Sequence, residues 1–363
     1  MGHDGLRALV VGGGVAALEA LLALRALAGD LVDLELLAPE TRFFYRPQAP
    51  LEPFGGGRVA SFELGEVART VGAELTLGEL ASVDPENRVA RTRHGMVIRY
   101  DALLLATGAA PRPAVRADVT FRGPSDSERT AGLLRAAGDA YTMAVPVPRT
   151  WPFPVYEVAF GLRAGSGKPV TIVTVEPTPA AVLGRAGSAA VASLLERRGI
   201  AVEAGFDFAA LPRREITVAA PALHAHRIYG IPADEDGFVP VNRYGAVHSL
   251  PDVYAAGDVT GYEVKHGSLA AAQADAAAAA IAALAGAVIA PIPFKPILYA
   301  RVACGGESLY VRRDLDDLRD EGVVSRDPLW APPAKIFARH LAPALAVLAG
   351  GPVPTAFFDP RIR

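Results

Sequence analysis

Three consecutive glycines, residues 12–14, separate the apolar run Leu6–Val11 from a helical pattern at Val15–Ala28. A second apolar run, residues 32–37, follows after a short turn. This order of strand, turn, helix and strand within about 30 residues is typical of a βαβ unit. The N-terminal region is therefore predicted to begin a parallel sheet with a helix packed on its face.

The spacing of small residues in this turn is Gly12-x-Gly14-x-x-Ala17. Gly12 permits a tight turn, Gly14 lets the backbone approach a pyrophosphate, and Ala17 keeps helix and strand close. Unpaired N–H groups and roughly half a positive charge at a helix N-terminus favour a diphosphate there. The pattern predicts a dinucleotide site, and a glycine-rich loop without a ligand is the alternative.

A carboxylate that binds the ribose is expected about 20 residues after the glycines, at the end of the second strand. Ala38 stands near that place and cannot accept a hydroxyl proton. Glu40, two residues later, is the candidate ribose ligand. A solvated loop carboxylate is the alternative interpretation.

A second signal is the buried strand pattern of residues 100–108, which ends in Ala106, Thr107 and Gly108. Small residues at the end of a strand let the chain pass close beside a cofactor. These three residues are therefore predicted to line the same site as the glycine turn.

A third signal is the strand pattern of residues 252–258, which ends in Gly257 and Asp258. Open α/β sheets bind ligands at the carboxyl ends of their strands. Asp258 is predicted to accept hydrogen bonds from ligand hydroxyls there, and an ordinary helix N-cap is the alternative.

The order and spacing of these three signals resemble those of the FAD-dependent pyridine-nucleotide-disulfide oxidoreductase superfamily. The resemblance covers residues 6–286. It implies a flavoprotein of the α/β class with two Rossmann-like domains, the second inserted in the first. It also implies FAD as cofactor, bound without a covalent bond because no cysteine stands near the family's tethering position.

Lys265 and Gly267 precede the helical pattern of residues 269–284. In similar flavoproteins this helix points its N-terminus at the pyrimidine ring of the flavin. Its dipole would stabilise negative charge on the reduced ring, and Lys265 would add to that effect. The alternative for Lys265 is a solvated loop lysine.

The strand–turn–helix–strand order recurs after Arg122, with strands at residues 141–147 and 170–175. The predicted boundaries are 1–121 and 237–290 for the FAD-binding domain, 122–236 for the second Rossmann-like domain, and 291–363 for a C-terminal segment.

The turn after the strand at 141–147 contains three prolines together with Trp151 and Phe153. Prolines lack N–H groups, and large side chains keep a backbone away from phosphate. Glu176 stands where a ribose acid would lie, but the turn disfavours tight binding of NADH.

Residues 151–157 resemble the Cys-Pro-x-x-Pro-Tyr-Glu element of sulfide:quinone oxidoreductases and flavocytochrome c sulfide dehydrogenases. In those families the cysteine belongs to a redox disulfide above the flavin, and here Trp151 stands in its place. The only cysteine, Cys304, cannot form an internal disulfide and is interpreted as a buried small residue.

Two roles are predicted for side chains of this element. Trp151, Phe153 and Tyr156 are candidates to line a slot for a flat molecule such as a quinone, with packing at the domain interface as the alternative. Glu157 is a candidate proton shuttle, and a carboxylate favourable to a helix dipole is the alternative.

The C-terminal segment is predicted to form a helix that opens in residues 330–341 and runs to Leu348. Its apolar stripe consists of Ile336, Phe337, Leu341, Leu345 and Leu348. Type II NADH dehydrogenases and sulfide:quinone oxidoreductases use such helices at membranes. Peripheral membrane contact is one interpretation, and docking on the chain's own domain is the other.

Composition excludes several other classes. A net charge of −3 without a basic run argues against nucleic-acid binding, and 51% hydrophobic residues indicate a globular chain. His224 and His226 lack partners at metal-ligand spacing, so no metal site is predicted. The N-terminus does not fit a signal peptide, and the cytoplasm is the simplest location.

The sequence therefore predicts an FAD-dependent oxidoreductase without a redox disulfide, working between a small-molecule donor and a quinone or other organic acceptor. One alternative is a type II NADH dehydrogenase. Another, of a different class, is a non-catalytic flavin-binding sensor or partner protein.

Overall fold

The computed structural model describes residues 5–147, 151–210, 216–304, 306–319 and 321–351. Its strands, in chain order, are β1 (Leu6–Val11), β2 (Val32–Ala38), β3 (Arg42–Phe44), β4 (Ser61–Glu63), β5 (Glu74–Leu77), β6 (Leu80–Asp84), β7 (Val89–Thr92), β8 (Val97–Arg99), β9 (Ala102–Leu105), β10 (Ala110–Arg112), β11 (Val119–Thr120), β12 (Tyr141–Val145), β13 (Val170–Thr174), β14 (Ile200–Ala204), β15 (Ile216–Ala219), β16 (Ala222–His224), β17 (Val253–Ala255), β18 (Ile297–Ala303), β19 (Ser308–Asp314) and β20 (Gly322–Ser325).

The α-helices of the described residues are α1 (Val15–Ala28), α2 (Leu64–Thr70), α3 (Ser127–Gly132), α4 (Phe153–Ser166), α5 (Gly184–Arg197), α6 (Gly267–Leu284) and α7 (Leu341–Leu348). Helix α4 begins at Phe153, within the proline-containing turn. Proline at the first turn of a helix loses no hydrogen bond, since the N–H there has no intrahelical acceptor.

The first sheet has the strand order β17-β9-β1-β2-β5, and all its pairings are parallel. Helices α1 and α6 pack against each other on it, with apolar side chains such as Leu21 and Ile281 in the common core. Because the strands are parallel, their carboxyl ends meet at one edge. The turns that follow β1, β9 and β17 therefore lie next to one another.

The second sheet has the strand order β11-β15-β12-β13-β14 and is also parallel throughout. Its strands lie between Val119 and Ala219, inside the stretch of chain that separates β9 from β17. The antiparallel pair β10–β16 joins the outgoing and returning chain. The predicted α/β class with parallel sheets is confirmed.

The C-terminal segment forms the antiparallel sheet β18-β19-β20 and the helix α7. The predicted helix is too long at its start, because residues 330–340 are not helical. Their N–H groups have other partners: Ile336 N donates to the hydroxyl of Tyr45 at 2.9 Å, and His340 N donates to Glu19 at 2.9 Å. Helix α7 begins where the Glu19 carboxylate accepts from Leu341 N.

The apolar stripe of this segment faces the protein. Leu341 and Leu345 are buried in the core of the first sheet, together with Ile336. The stripe was the physical basis for the predicted membrane contact, so that basis is lost. By length and composition, one described helix, α6, would suffice to cross a membrane, but it is a mostly buried core helix.

Candidate functional site

The turns after β1 and β9 are in direct backbone contact. The N–H of Ala106 donates to the carbonyl of Val11 at 2.8 Å, and Gly12 N donates to Leu37 O at 2.8 Å. Gly12 has a φ of +131°, and a Cβ there would lie 2.2 Å from the carbonyl oxygen of Ala106. Only glycine allows this approach, which brings the first two sequence motifs together.

Gly14, the second glycine of the Gly12-x-Gly14 motif, faces open space. A Cβ on Gly14 would have no heavy atom within 4 Å, although the residue directly precedes α1. Ala17, one turn later, is fully buried against the sheet. The start of α1 therefore presents N–H groups and a positive helix end to an unfilled volume, as a diphosphate requires.

The third motif turns sharply at Gly257, whose φ is +81°. The adjacent carboxylate of Asp258 is half-buried and accepts no hydrogen bond from any described residue. Burial raises its pKa, while the positive charges of Lys265 and Arg46 act in the opposite direction. A carboxylate held in this way is suited to hydroxyl donors from a ligand.

Lys265 is held inside the protein. Its ammonium group donates to the carbonyl of Thr260 and lies 3.9 Å from the centroid of the Phe238 ring. It is buried, so it is not a solvated loop lysine. Its charge acts on Asp258, which places a fixed cation beside the third motif.

The start of α6 is covered by neighbouring segments. A Cβ on Gly267 would lie 2.5 Å from Ile336 of the C-terminal segment, so glycine is needed for this packing. The ring of His266 caps the helix by accepting from Ser268 N at 3.2 Å. Burial, assisted by the charge of Lys335, lowers the pKa of His266 to about 3, so the ring is neutral.

Of the three aromatic residues predicted to line a slot, only Trp151 keeps exposed surface. Its ring centroid lies 4.3 Å from that of His266 and 4.7 Å from that of Phe153. Phe153 is 2% exposed and Tyr156 is 0% exposed. The Tyr156 hydroxyl accepts from Ala180 N at 3.1 Å. The prediction of a three-sided slot is therefore corrected: Phe153 and Tyr156 are core residues, because their side chains pack α4 onto the second sheet.

Glu157 lies in a buried ion pair. Its carboxylate contacts the Lys335 ammonium group at 2.5 Å and accepts from Ala303 N at 2.7 Å. Lys335 also donates to the carbonyl of Pro47 at 2.9 Å. Burial raises the pKa of Glu157, and Lys335 opposes this rise. The pair joins α4 to the C-terminal segment beside the start of α6.

Glu40, the candidate ribose ligand, is exposed on the loop after β2. The surface nearest the glycine turn is apolar instead: a Cβ on Gly13 would lie 3.0 Å from Leu64 and 3.7 Å from Ala38. Glu40 is therefore not held against the turn by any described hydrogen bond.

The corresponding edge of the second sheet is filled. Glu176 follows β13 and is buried, with one carboxylate oxygen that has no partner among the described residues. Arg313 of β19 donates to the carbonyl of Val182 at 2.6 Å, so the C-terminal sheet packs on the loop after β13. Residues 148–150 of the neighbouring turn lie outside the described residues.

Cys304 is free, 0% exposed, and follows β18. Burial raises the pKa of its thiol to about 12. A thiol with so little thiolate at neutral pH is a poor nucleophile, in agreement with its interpretation as a small core residue.

A cluster of Glu19, Asp275 and His340 places three potential metal-ligand atoms within 4.8 Å of one another. Both oxygens of Glu19 already accept from backbone N–H groups of the C-terminal segment. Sequence spacing missed this cluster because its members lie on three distant elements. Its hydrogen bonds indicate a structural junction of α1, α6 and the start of α7.

Comparison with known proteins identifies a family and a set of related folds. Residues 6–142 match the model of the family described as pyridine nucleotide-disulphide oxidoreductase. No curated protein matches this chain by sequence. The fold resembles that of the sulfide:quinone oxidoreductase from Aquifex aeolicus, with a TM-score of 0.78, 19% identity, and coverage of 88% of this chain and 87% of that chain.

Two further structures are similar. The NADH:rubredoxin oxidoreductase from Clostridium acetobutylicum has a TM-score of 0.61, 18% identity, and coverage of 90% of this chain and 85% of that chain. A ferredoxin reductase from Rhodopseudomonas palustris has a TM-score of 0.65, 19% identity, and coverage of 84% and 82%. The superfamily predicted from the three motifs is confirmed over residues 6–142, which match this family's model, and the three oxidoreductases named above share the fold of the chain.

Proposed function

We propose that this protein is a flavoprotein oxidoreductase that holds FAD non-covalently at the edge of the first sheet. The observation that carries the proposal is the meeting of three turns at the carboxyl edge of the first sheet, with open space around the position of Gly14. Gly14 would leave room for the diphosphate at the start of α1, and Gly12 would let the turn pack against Ala106. Asp258 would accept hydrogen bonds from ribityl hydroxyls, which supply the donors that its half-buried carboxylate lacks.

Bound FAD would supply reversible two-electron chemistry. The residues of this chain would bind the cofactor and set the charge around it. Lys265 is a fixed cation close to Asp258, and the start of α6 adds the positive end of a helix dipole. Both would favour an anionic form of a ligand at this edge.

Proton movement in the proposed enzyme would involve Glu157. Its buried carboxylate contacts a single cation, Lys335, so the pair can hold either one or two protons in total. The neutral His266 ring packs against Trp151 with the two ring planes tilted by 59°, and the charge of Lys335 acts on it. The roles of Glu157 and Lys265 in turnover remain predictions.

A small organic acceptor, such as a quinone, is the proposed oxidant. Trp151 provides a partly exposed aromatic surface next to the start of α6. A thiol-based mechanism is disfavoured because the single cysteine is buried. A nicotinamide substrate is disfavoured because the loop after β13 is occupied by Arg313 and Glu176 is buried.

The first test is purification followed by an absorbance spectrum and release of the flavin by denaturation. We expect a yellow protein with one FAD per chain. Anaerobic mixing with NADH, sulfide and chemical reductants, followed by a soluble ubiquinone analogue, would then assign donor and acceptor. A colourless protein that takes up no added FAD would refute the proposal. Fast, saturable reduction by NADH would instead favour the NADH dehydrogenase alternative.

A further inference from the structure

A cavity of about 350 Å³ lies beside β17, on the first sheet but apart from the three-motif edge. Six stretches of the chain between residues 240 and 316 surround it, and its walls are mainly apolar. The residues that matter here are Arg243, Gly261, Tyr262, Gln273, Phe294 and Asp316. The volume falls within the range of small-molecule pockets, which is about 300–1,000 Å³.

Gln273 of α6 has a fixed orientation in the wall of this cavity. Its Oε1 accepts from Gly257 N at 2.7 Å and from the Thr260 hydroxyl at 3.3 Å. Since an N–H must face an acceptor, the amide cannot be reversed, and Nε2 points away from these partners. In the described part of the chain, Nε2 has no acceptor, although the residue is only 6% exposed. Nε2 is not among the fully buried polar atoms and Gln273 lines the cavity, so a ligand oxygen inside the cavity can accept a hydrogen bond from it.

The other walls define the kind of ligand. The rings of Tyr262 and Phe294 pack edge to face, with centroids 5.2 Å apart, and offer apolar surface to a flat molecule. The charges of Arg243 and Asp316 neutralise each other across a 3.0 Å ion pair. The cavity therefore combines flat apolar walls with one amide donor, Nε2 of Gln273. The Arg243–Asp316 ion pair adds no net charge.

We propose that this cavity binds a neutral, flat carbonyl compound whose oxygen accepts a hydrogen bond from Nε2 of Gln273. Gln273 also accepts a hydrogen bond from Gly257 N, so a ligand in this cavity would contact a residue that holds the third motif in place. The site is separate from the proposed FAD site, and its occupancy does not require bound flavin.

Coumarin is a suitable probe because it is neutral, flat and carries one carbonyl group. Binding is measured by saturation-transfer NMR titration on the full chain. We expect saturable binding to the unmodified protein. In Gly261→Leu the new side chain fills the cavity, and we expect binding at least about tenfold weaker. Gly261 tolerates the change, since its Cβ would meet only Val239 O, at 3.9 Å.

Gln273→Glu keeps an acceptor for Gly257 N but removes the donor to the ligand. We expect roughly tenfold weaker binding from this loss. Val288→Leu is the matched control, because Val288 is fully exposed and away from the cavity lining. Absence of binding to the unmodified protein at millimolar coumarin, or equal binding to the protein and to Gly261→Leu, would overturn the proposal. If Gln273→Glu does not fold, the result for Gly261→Leu decides. Flavin content is measured separately, so failure of this site and failure of FAD binding are distinguishable.

Discussion

The two parallel sheets of this protein are built alike, with five strands each and a central strand that leads through a turn into a helix. They differ at that turn. After β1 the chain passes through glycines, and the position of Gly14 faces open space. Before α4 the chain passes Trp151 and Pro152, and the first helical residue, Phe153, is buried. The same topology therefore offers a ligand site in one sheet and a packed core in the other, because the turn decides how close a phosphate can come.

At the position where a ribose-binding acid is expected, it is the second sheet and not the first that has a carboxylate. The first sheet has Ala38 where an acid is expected, and the second has Glu176. Glu176 is buried near the Tyr156 hydroxyl, and burial raises its pKa. A carboxylate in that environment is poorly placed to bind a ribose. A single site residue is thus a weaker indicator of ligand binding than the shape of the turn beside it.

The largest expected effects come from the glycines of the first turn. Gly12→Val should prevent folding, because its Cβ would lie 2.2 Å from Ala106 O and its φ is +131°. Gly14→Val should leave the fold intact, since nothing lies within 4 Å, but it should weaken FAD binding by about a hundredfold or more. Circular dichroism of the apoprotein and flavin titration separate the two effects.

Normal flavin binding by Gly14→Val would contradict the assignment of the open volume to the diphosphate. It would also remove the main difference between the two turns. As a control, Gly132→Val changes a glycine of α3 that, like Gly14, has a negative φ and no heavy atom within 4 Å of a Cβ, and it should not alter flavin affinity.

The second effect concerns the ion pair at α4. Glu157→Gln leaves the Lys335 ammonium group buried without its counter-charge, and should cost about 3–5 kcal/mol of unfolding free energy. Lys335→Met should cost a similar amount. The double variant should lose less unfolding free energy than the two single variants lose together, because it leaves neither charge buried without a partner. Urea unfolding of the four proteins measures this coupling. Additive losses would show that the pair does not hold α4 to the C-terminal segment.

Sequence reasoning predicted the first turn well because its signals are local. The glycines, the strand ends at Ala106 and Asp258, and the helix α6 all follow from residue types within a short window. The Glu157–Lys335 pair joins residues 178 positions apart, and no spacing rule could indicate it. The start of α7 is set by Glu19, 322 positions from Leu341, which explains why the predicted helix began too early. The ion pair and the start of α7 depend on contacts between residues far apart in sequence, which local sequence patterns do not contain.

A third, smaller effect tests the junction of α1, α6 and the start of α7, where Glu19, Asp275 and His340 meet. Burial raises the pKa of Asp275 from 3.8 to about 6, while Arg339 acts against the rise. Burial and the charge of Asp275 also raise the pKa of Glu19. The folded protein thus keeps a proton that the unfolded chain releases between pH 3.8 and about 6, so stability falls as pH rises through this window.

Asp275→Asn removes the part of this dependence that comes from Asp275, while the burial of Glu19 continues to raise the pKa of Glu19. We expect the variant to gain about 1–2 kcal/mol of unfolding free energy relative to the unmodified protein on going from pH 4 to pH 8. The pKa of the neighbouring His340 is lowered by burial, so its protonation reduces stability in acid in both proteins. Unfolding curves at several pH values give the comparison. An unchanged pH profile would mean that Asp275 does not carry the shared proton.

The smallest expected effect is at Cys304, in the core of the second sheet. It tests whether this cysteine is a buried core residue or a reactive thiol. Cys304→Ala removes one buried sulfur atom and should cost about 1 kcal/mol, with no change in flavin content or turnover. The thiol should also be inert to a thiol reagent in the folded protein, because burial, assisted by the charge of Glu157, raises its pKa to about 12. Rapid modification of the folded chain, together with loss of turnover in Cys304→Ala, would reverse this conclusion. The region around Trp151 would then be a thiol site with one missing partner, and the contrast between an open first turn and a closed second turn would no longer describe how the protein works.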